Sequence, residues 1–167
     1  MPHLRLISLL VTFALVGPAA AAQDLAPAWR TLTSLTGTWK LADPKTAEGR
    51  AFRISYRLIS ANTALVESFG DPARQITQTI YHLDGKRLLA THYCAQGNQP
   101  RLRLRTGTSD DTLLFEFLDA TNLKSVNDAH LVRMKFKLSG TRHLTRQEVY
   151  LENGKEDEST LSLERAE

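Results

Sequence analysis

Alternation of apolar and polar residues with a period of two recurs along the chain from residue 38 to residue 163, and it constrains the fold more than any other feature. Between residues 131 and 138, for example, the even positions are Val, Met, Phe and Leu, and the odd positions between them are Arg or Lys. Such alternation is typical of a β-strand with one buried and one exposed face. The predicted strands cover residues 38–41, 51–60, 63–69, 75–83, 86–95, 101–105, 112–118, 131–138, 143–151 and 157–163.

Two dipeptides mark hairpin turns within this series. Asp84-Gly85 and Asn153-Gly154 are typical of two-residue type I′ turns, in which both central residues have positive φ. The first turn predicts that Leu83 pairs with Lys86, and the second predicts the register of the last two strands.

About ten strands with short connections, and no long helix among them, predict a single all-β domain. Consecutive antiparallel strands favour an up-and-down β-barrel, because closure leaves no exposed sheet edge. A two-sheet sandwich is the alternative. Leu25, Trp29, Leu32 and Leu35 lie at helical spacing and predict a short amphipathic helix over residues 25–36, before the first strand.

The predicted strand faces place polar side chains inside the barrel. In the last hairpin, one face is the better candidate for the interior, and it comprises Leu144, Arg146, Glu148, Tyr150, Ser159, Leu161 and Leu163. A buried charge is costly unless it is paired or hydrated, so Arg146 and Glu148 predict a polar element in the lumen. His82 and His92 lie on opposite faces of the sheet and cannot bind the same metal ion. The candidate ligand-binding residues are Tyr56, Tyr81, His92, Arg146, Glu148 and Tyr150, and no residue is assigned a catalytic or metal-binding role.

Residues 1–22 have the pattern of a secretory signal peptide. A short basic segment with Arg5 precedes an apolar run over residues 6–16, which is too short to span a bilayer at about 20 residues. Small residues then lead to a predicted cleavage site near Ala22–Gln23. We therefore expect a mature domain of residues 23–167, located in the periplasm or secreted, with no stable membrane insertion. An uncleaved anchor is the alternative.

The single cysteine and the modest net charge exclude several classes of function. One cysteine rules out an intramolecular disulfide and any multi-cysteine zinc or iron–sulfur site. A net charge of +3 is too small to indicate nucleic-acid binding, and we interpret the row Arg101, Arg103 and Arg105 as a solvated outer face of the barrel. Cys94 shares a strand face with His92, but residues two apart on a strand are separated by about 7 Å, which favours a buried, inert thiol.

Several segments resemble the lipocalin-like calycin barrels. Gly37-Thr38-Trp39, at the start of the strands, is similar to their Gly-x-Trp start. Ten strands resemble the fatty-acid-binding and nitrobindin-like members more closely than the eight-stranded lipocalins. The segment Thr91–Arg101, together with Asp119–Leu123 and Asn153–Lys155, is similar to secreted bacterial proteins of this type. The resemblance implies a barrel that binds a small, often apolar, molecule in its lumen, with Trp39 packed across the base.

Nitrobindin-like proteins bind haem, and the resemblance implies that His92, His130 or His143 is a candidate haem ligand. The chain departs from their extended Gly-x-Trp-x-Gly-x-Gly start, because Lys40-Leu41-Ala42 follows Trp39. No cofactor is therefore expected, and haem binding is an alternative.

The leading hypothesis is an exported protein that holds a small, partly polar or apolar molecule in its barrel, with no nucleic-acid partner. A second is a barrel enzyme, an isomerase or hydrolase, that uses His92 with Glu148 or Arg146 for acid–base chemistry. The remaining two are a haem- or metal-binding barrel and a structural envelope or interaction module with a filled interior.

Overall fold

The computed structural model describes residues 25–105, 109 and 111–166, which form a closed antiparallel barrel of ten strands. Each strand pairs with its neighbours in the sequence, and the first strand also pairs with the last, with Trp39 opposite Arg165. The predicted all-β barrel is confirmed, and the sandwich alternative was wrong. The predicted signal peptide, residues 1–22, lies outside the described residues.

The elements follow one another along the chain with short connections. They are α1 (Ala26–Thr33), β1 (Gly37–Leu41), α2 (Ala47–Ala51), β2 (Arg53–Ile59), β3 (Ala64–Asp71), β4 (Arg74–Asp84), β5 (Arg87–Tyr93), β6 (Gln99–Leu104), β7 (Thr112–Thr121), β8 (His130–Ser139), β9 (His143–Glu152) and β10 (Lys155–Arg165).

The short helix α2 has no counterpart in the sequence prediction. Its N-cap is Thr46, whose hydroxyl accepts a hydrogen bond from the backbone N–H of Gly49 at 3.0 Å. Side-chain capping of this kind stabilises the first turn of a helix. A single capped turn of five residues is too short to produce a helical hydrophobic period.

The hairpin between β9 and β10 has the predicted register. Asn153 and Gly154 both have positive φ, at 52° and 74°, and Glu152 pairs with Lys155. A type I′ turn requires positive φ at both positions, which asparagine and glycine tolerate.

The hairpin between β4 and β5 differs from its predicted register by one residue on each strand. Leu83 pairs with Leu88 instead of Lys86, and Asp84 pairs with Arg87. Gly85 has positive φ, at 57°, but neither Asp84 nor Lys86 does, so a type I′ turn does not form. The observed partner of each residue lies two positions from the predicted one. Because side chains alternate along a strand, each residue still lies on its predicted face of the sheet.

Helix α1 packs over one end of the barrel, which we call the closed end. Leu32 and Leu35 are fully buried there, and the Trp39 Nε1–H donates to the Leu35 carbonyl at 2.8 Å. The guanidinium of Arg165 lies over the Trp39 ring at 4.5 Å. Gly37 has a φ of 122°, and a Cβ added to it would lie 2.8 Å from Arg165 Nη1. The positive φ, which residues with a Cβ rarely adopt, therefore explains the glycine of the Gly-x-Trp motif.

The interior changes in character along the barrel axis. Near the closed end the buried side chains are leucines from six strands: Leu65, Leu88, Leu104, Leu113, Leu144 and Leu163. Farther from α1, the inward positions of β3, β4, β5 and β9 become polar or charged. The closed end thus provides an apolar base for the polar interior above it.

Candidate functional site

A group of buried polar side chains lies inside the barrel, and we call it the polar core. Its members are Tyr56, Glu67, Thr79, Tyr81, His92, Arg146, Glu148 and Tyr150, from β2, β3, β4, β5 and β9. They occupy inward positions of these five strands, because side chains alternate between the two faces along each strand. All except Tyr150 are at most 8% exposed.

Arg146 is the centre of the polar core and is 1% exposed. Its Nη2 atom lies 2.7 Å from Glu67 Oε1 and 2.9 Å from Glu148 Oε1. The guanidinium also lies beside two aromatic rings, 5.0 Å from the centroid of Phe69 and 5.8 Å from that of Phe136. Two carboxyl groups and two rings therefore hold one cation in place.

Three donors in the polar core have no acceptor within hydrogen-bond distance among the described residues, although Glu67 and Arg146 lie close enough to the Tyr56 hydroxyl to affect its pKa. They are Arg146 Nε, Arg146 Nη1 and the Tyr56 hydroxyl, all of them buried. A buried polar group without a hydrogen bond costs about 1–3 kcal/mol, so native proteins rarely leave several together. These donors are available to a molecule that accepts hydrogen bonds.

The two interior tyrosines remain protonated. The Tyr81 hydroxyl donates to Glu67 Oε2 at 2.8 Å, and Tyr56 lies opposite Glu67 in the strand register. Burial, and then the negative charge of Glu67, raise the pKa of both phenols well above the ordinary value. Both hydroxyl groups therefore keep their protons over the whole physiological pH range.

His92 is held between two hydroxyl groups. Its Nδ1 lies 2.9 Å from Thr79 Oγ1, and its Nε2 lies 3.1 Å from the Tyr150 hydroxyl. Burial lowers the pKa of His92, although the charge of Glu148 acts in the opposite direction. The imidazole is therefore neutral at pH 7, and the geometry is satisfied when Tyr150 donates to Nε2 and Nδ1–H donates to Thr79.

The charged state of the polar core follows from its ion pairs. Burial raises the pKa of Glu148, but the adjacent Arg146 outweighs it and the net pKa is lowered. Burial disfavours the charge on Arg146, yet Glu148 and Glu67 raise its pKa well above the ordinary value. The core thus contains one permanent cation that two carboxyl groups already contact.

The structure places all six predicted ligand-binding residues inside the barrel. Arg146, Glu148, Tyr56 and Tyr81 surround the ion pairs, and His92 and Tyr150 form the adjoining hydrogen-bonded pair. The sequence reasoning missed Glu67 and Thr79. The apolar residues at positions 65 and 69 would have shown that Glu67 lies on the interior face of its strand.

The acid–base pair of the enzyme hypothesis does not form a direct hydrogen bond in the described chain. His92 and Glu148 both face the interior, but the hydrogen bonds of His92 go to Thr79 and Tyr150. The interaction between the two residues is electrostatic, because the negative charge of Glu148 acts to raise the pKa of His92.

Of the three histidines of the haem alternative, His92 has no ring nitrogen free to bind iron. Both ring nitrogens of His92 are engaged in hydrogen bonds. His130 directs its Nδ1 to the Asp128 carbonyl at 2.6 Å at the start of β8, and His143 is exposed at the start of β9. No group of three or more metal-ligating side chains occurs within the described residues.

Cys94 lies at the far end of β5 from the closed end. It is 8% exposed, as predicted, and its thiol donates to Gln96 Oε1. Arg101 and Arg103 on β6, and Arg105 directly after it, are exposed, which confirms their predicted position on the outer face.

The cavities described in the structure lie at the surface. Their volumes are about 390, 230, 470 and 90 Å³, and no residue of the polar core lines any of these four. Within the polar core, Glu148 and Tyr150 are the most accessible members, with Tyr150 half-buried. Access to Arg146 is therefore best from the side of Glu148 and Tyr150, away from α1.

No protein-family model matches the chain, and no curated protein matches it significantly. No helix among the described residues is long and apolar enough to cross a membrane.

Proposed function

We propose that this protein is an exported, lipocalin-like barrel that binds a small, partly polar molecule in its polar core. The observation that carries the proposal is the set of three buried donors, Arg146 Nε, Arg146 Nη1 and the Tyr56 hydroxyl, that have no acceptor among the described residues. A bound molecule with hydrogen-bond acceptors would satisfy them. The pattern of residues 1–22 supports export, and the closed barrel with Trp39 at its base supports the lipocalin-like assignment.

The charges of the polar core favour a neutral ligand. Glu67 and Glu148 already contact the guanidinium of Arg146, so an anion would bring a third negative group to one cation. Like charges repel strongly where the dielectric constant is low. A carbonyl, ether or hydroxyl oxygen accepts a hydrogen bond from Arg146 or Tyr56 without adding charge. The rings of Phe69 and Phe136 would contact the apolar part of such a molecule.

Binding requires some interior side chains to move. Met134 is the most adaptable of them, because its unbranched thioether has several rotatable bonds. Its Sδ lies 3.4 Å from both the Tyr81 hydroxyl and Arg146 Nη2, and sulfur is only a weak acceptor. A ligand oxygen in the same place would be a stronger acceptor for these donors.

Native mass spectrometry of the protein purified from its expressing cells tests this proposal. We expect an adduct on the protein that is lost or reduced in Tyr56→Phe, which removes one of the unpaired donors. Tyr93→Phe is the matched control, because Tyr93 is 47% exposed on the outer face. Absence of any adduct, or equal adducts in both variants, would contradict the proposal.

A further inference from the structure

A second candidate site lies on the outside of the barrel, apart from the polar core. It is a cavity of about 390 Å³ beside the start of α1, and we call it the basic cleft. Eight residues line it: four cationic side chains, three leucines and Glu116.

The lining of the basic cleft has a strong excess of positive charge. Four of the eight residues are cationic and one is acidic. Arg105 pairs with Glu116 at 3.2 Å, and Arg87 pairs with Asp84. Within the described residues, neither Lys86 nor Arg103 takes part in an ion pair. Two exposed cations therefore remain available in one concave site.

The apolar part of the lining is buried beneath these charges. Leu25, Leu88 and Leu104 are 9%, 1% and 7% exposed, respectively. A ligand that fits both features has an anionic group for the rim and an apolar substituent for the leucines. Arginine binds phosphate oxygens through paired N–H groups, and lysine contributes a point charge.

We infer that the basic cleft binds a phosphate monoester or diester that carries an apolar substituent. Lys86 and Arg103 hold the phosphate, and the accessible edges of Leu25 and Leu104 contact the substituent. A soluble organic phosphate and the headgroup of an anionic lipid share this chemistry, so the experiment distinguishes the two sources. The site does not depend on the polar core, so the two proposals can fail separately.

Titration calorimetry with phenyl phosphate tests the soluble form, and co-sedimentation with vesicles tests the lipid form. The vesicles contain phosphatidylcholine with or without phosphatidylglycerol. We expect saturable binding to at least one probe, weakened by added salt, because exposed charges are screened. Lys86→Ala/Arg103→Ala should reduce affinity at least about tenfold, since it removes both unpaired cations.

Lys135→Ala/Lys137→Ala is the matched control, because it removes the same charge from exposed positions on β8, outside the cleft. It should leave binding within about twofold of the unmodified protein, since distant surface charges contribute little. Circular dichroism melting curves check that both double variants are folded. An equal loss of affinity in the two double variants, or no saturable binding of either probe, would overturn the inference.

Discussion

Arg146 Nη2 on β9 lies 2.7 Å from Glu67 Oε1 on β3, and this ion pair crosses the inside of the barrel. The two residues are 79 positions apart in the sequence, and both are at most 1% exposed. The pair therefore joins the third and ninth strands through the interior, independently of the backbone hydrogen bonds around the wall.

Replacing Arg146 with methionine should strongly destabilise the protein. The substitution preserves much of the side-chain volume but leaves two carboxyl groups buried without their cation. Breaking a buried ion pair on one side costs about 3–5 kcal/mol. Urea denaturation would measure the loss in the free energy of unfolding. Arg101→Met is the control, because its pair with Asp119 is exposed and its removal should barely change the urea midpoint. Similar midpoints for the two variants would contradict the role assigned to Arg146.

The stability of the protein should fall with acidification between pH 7 and pH 5, in part because of His92. Its folded-state pKa lies below the ordinary value of 6.5, so the unfolded chain takes up a proton in this range before the folded protein does. One such proton produces a slope of up to about 1.4 kcal/mol per pH unit.

His92→Gln should make this slope shallower, because it removes the buried imidazole. Urea denaturation at several pH values would provide the comparison. Glu148 remains ionised above pH 5, because its pKa is lowered. The stability that its charge contributes is therefore lost only in more acidic solutions. An identical slope in His92→Gln and the unmodified protein would show that His92 is not buried as a neutral imidazole.

Arg165→Lys should loosen the closed end of the barrel. The guanidinium donates to the carbonyls of Thr36 at 2.7 Å and Ser34 at 2.8 Å while lying over Trp39. Lysine cannot reproduce this planar arrangement, so we expect a loss of about 1–3 kcal/mol in the free energy of unfolding. Chemical denaturation followed by tryptophan fluorescence measures it. Arg57→Lys, at an exposed position of β2, is the control, and an equal change there would rule out a specific role for Arg165.

Tyr56→Phe and Tyr81→Phe should have opposite effects on the ligand-free protein. The first removes a buried hydroxyl without a partner, which we expect to stabilise the protein by about 1 kcal/mol. The second leaves Glu67 Oε2 without its donor and should cost about 1–3 kcal/mol. Refolding from denaturant before measurement removes any bound molecule. Equal destabilisation by both variants would mean that the Tyr56 hydroxyl has an acceptor within the protein.

The period of two was sufficient to predict the strands and the inward position of Arg146, because side-chain direction alternates strictly along a strand. The register of the last hairpin was also predictable, since Asn153-Gly154 determines its turn. The register of the β4–β5 hairpin was not, because the turn includes Lys86, which has no special conformational preference. The turn residues thus predicted both the register and the faces of the β9–β10 hairpin, but only the faces of the β4–β5 hairpin.

The contacts within the polar core could not be predicted from the sequence. Glu67 and Arg146 belong to strands that are not neighbours in the barrel, so no hairpin register relates them. Their meeting depends on the closure of the sheet and on the tilt of the strands across the interior. For the same reason, the sequence placed Tyr56 and Arg146 inside the barrel but could not show that their donors lack acceptors.

A crystal structure of the protein purified from its expressing cells, at a resolution that distinguishes water from larger molecules, tests the central claim most directly. We expect density for a non-protein molecule within about 2.7–3.2 Å of Arg146 Nη1, Arg146 Nε or the Tyr56 hydroxyl. Density for ordered water alone at these three donors, or protein acceptors that satisfy all of them, would contradict the proposal that the polar core is a ligand-binding site.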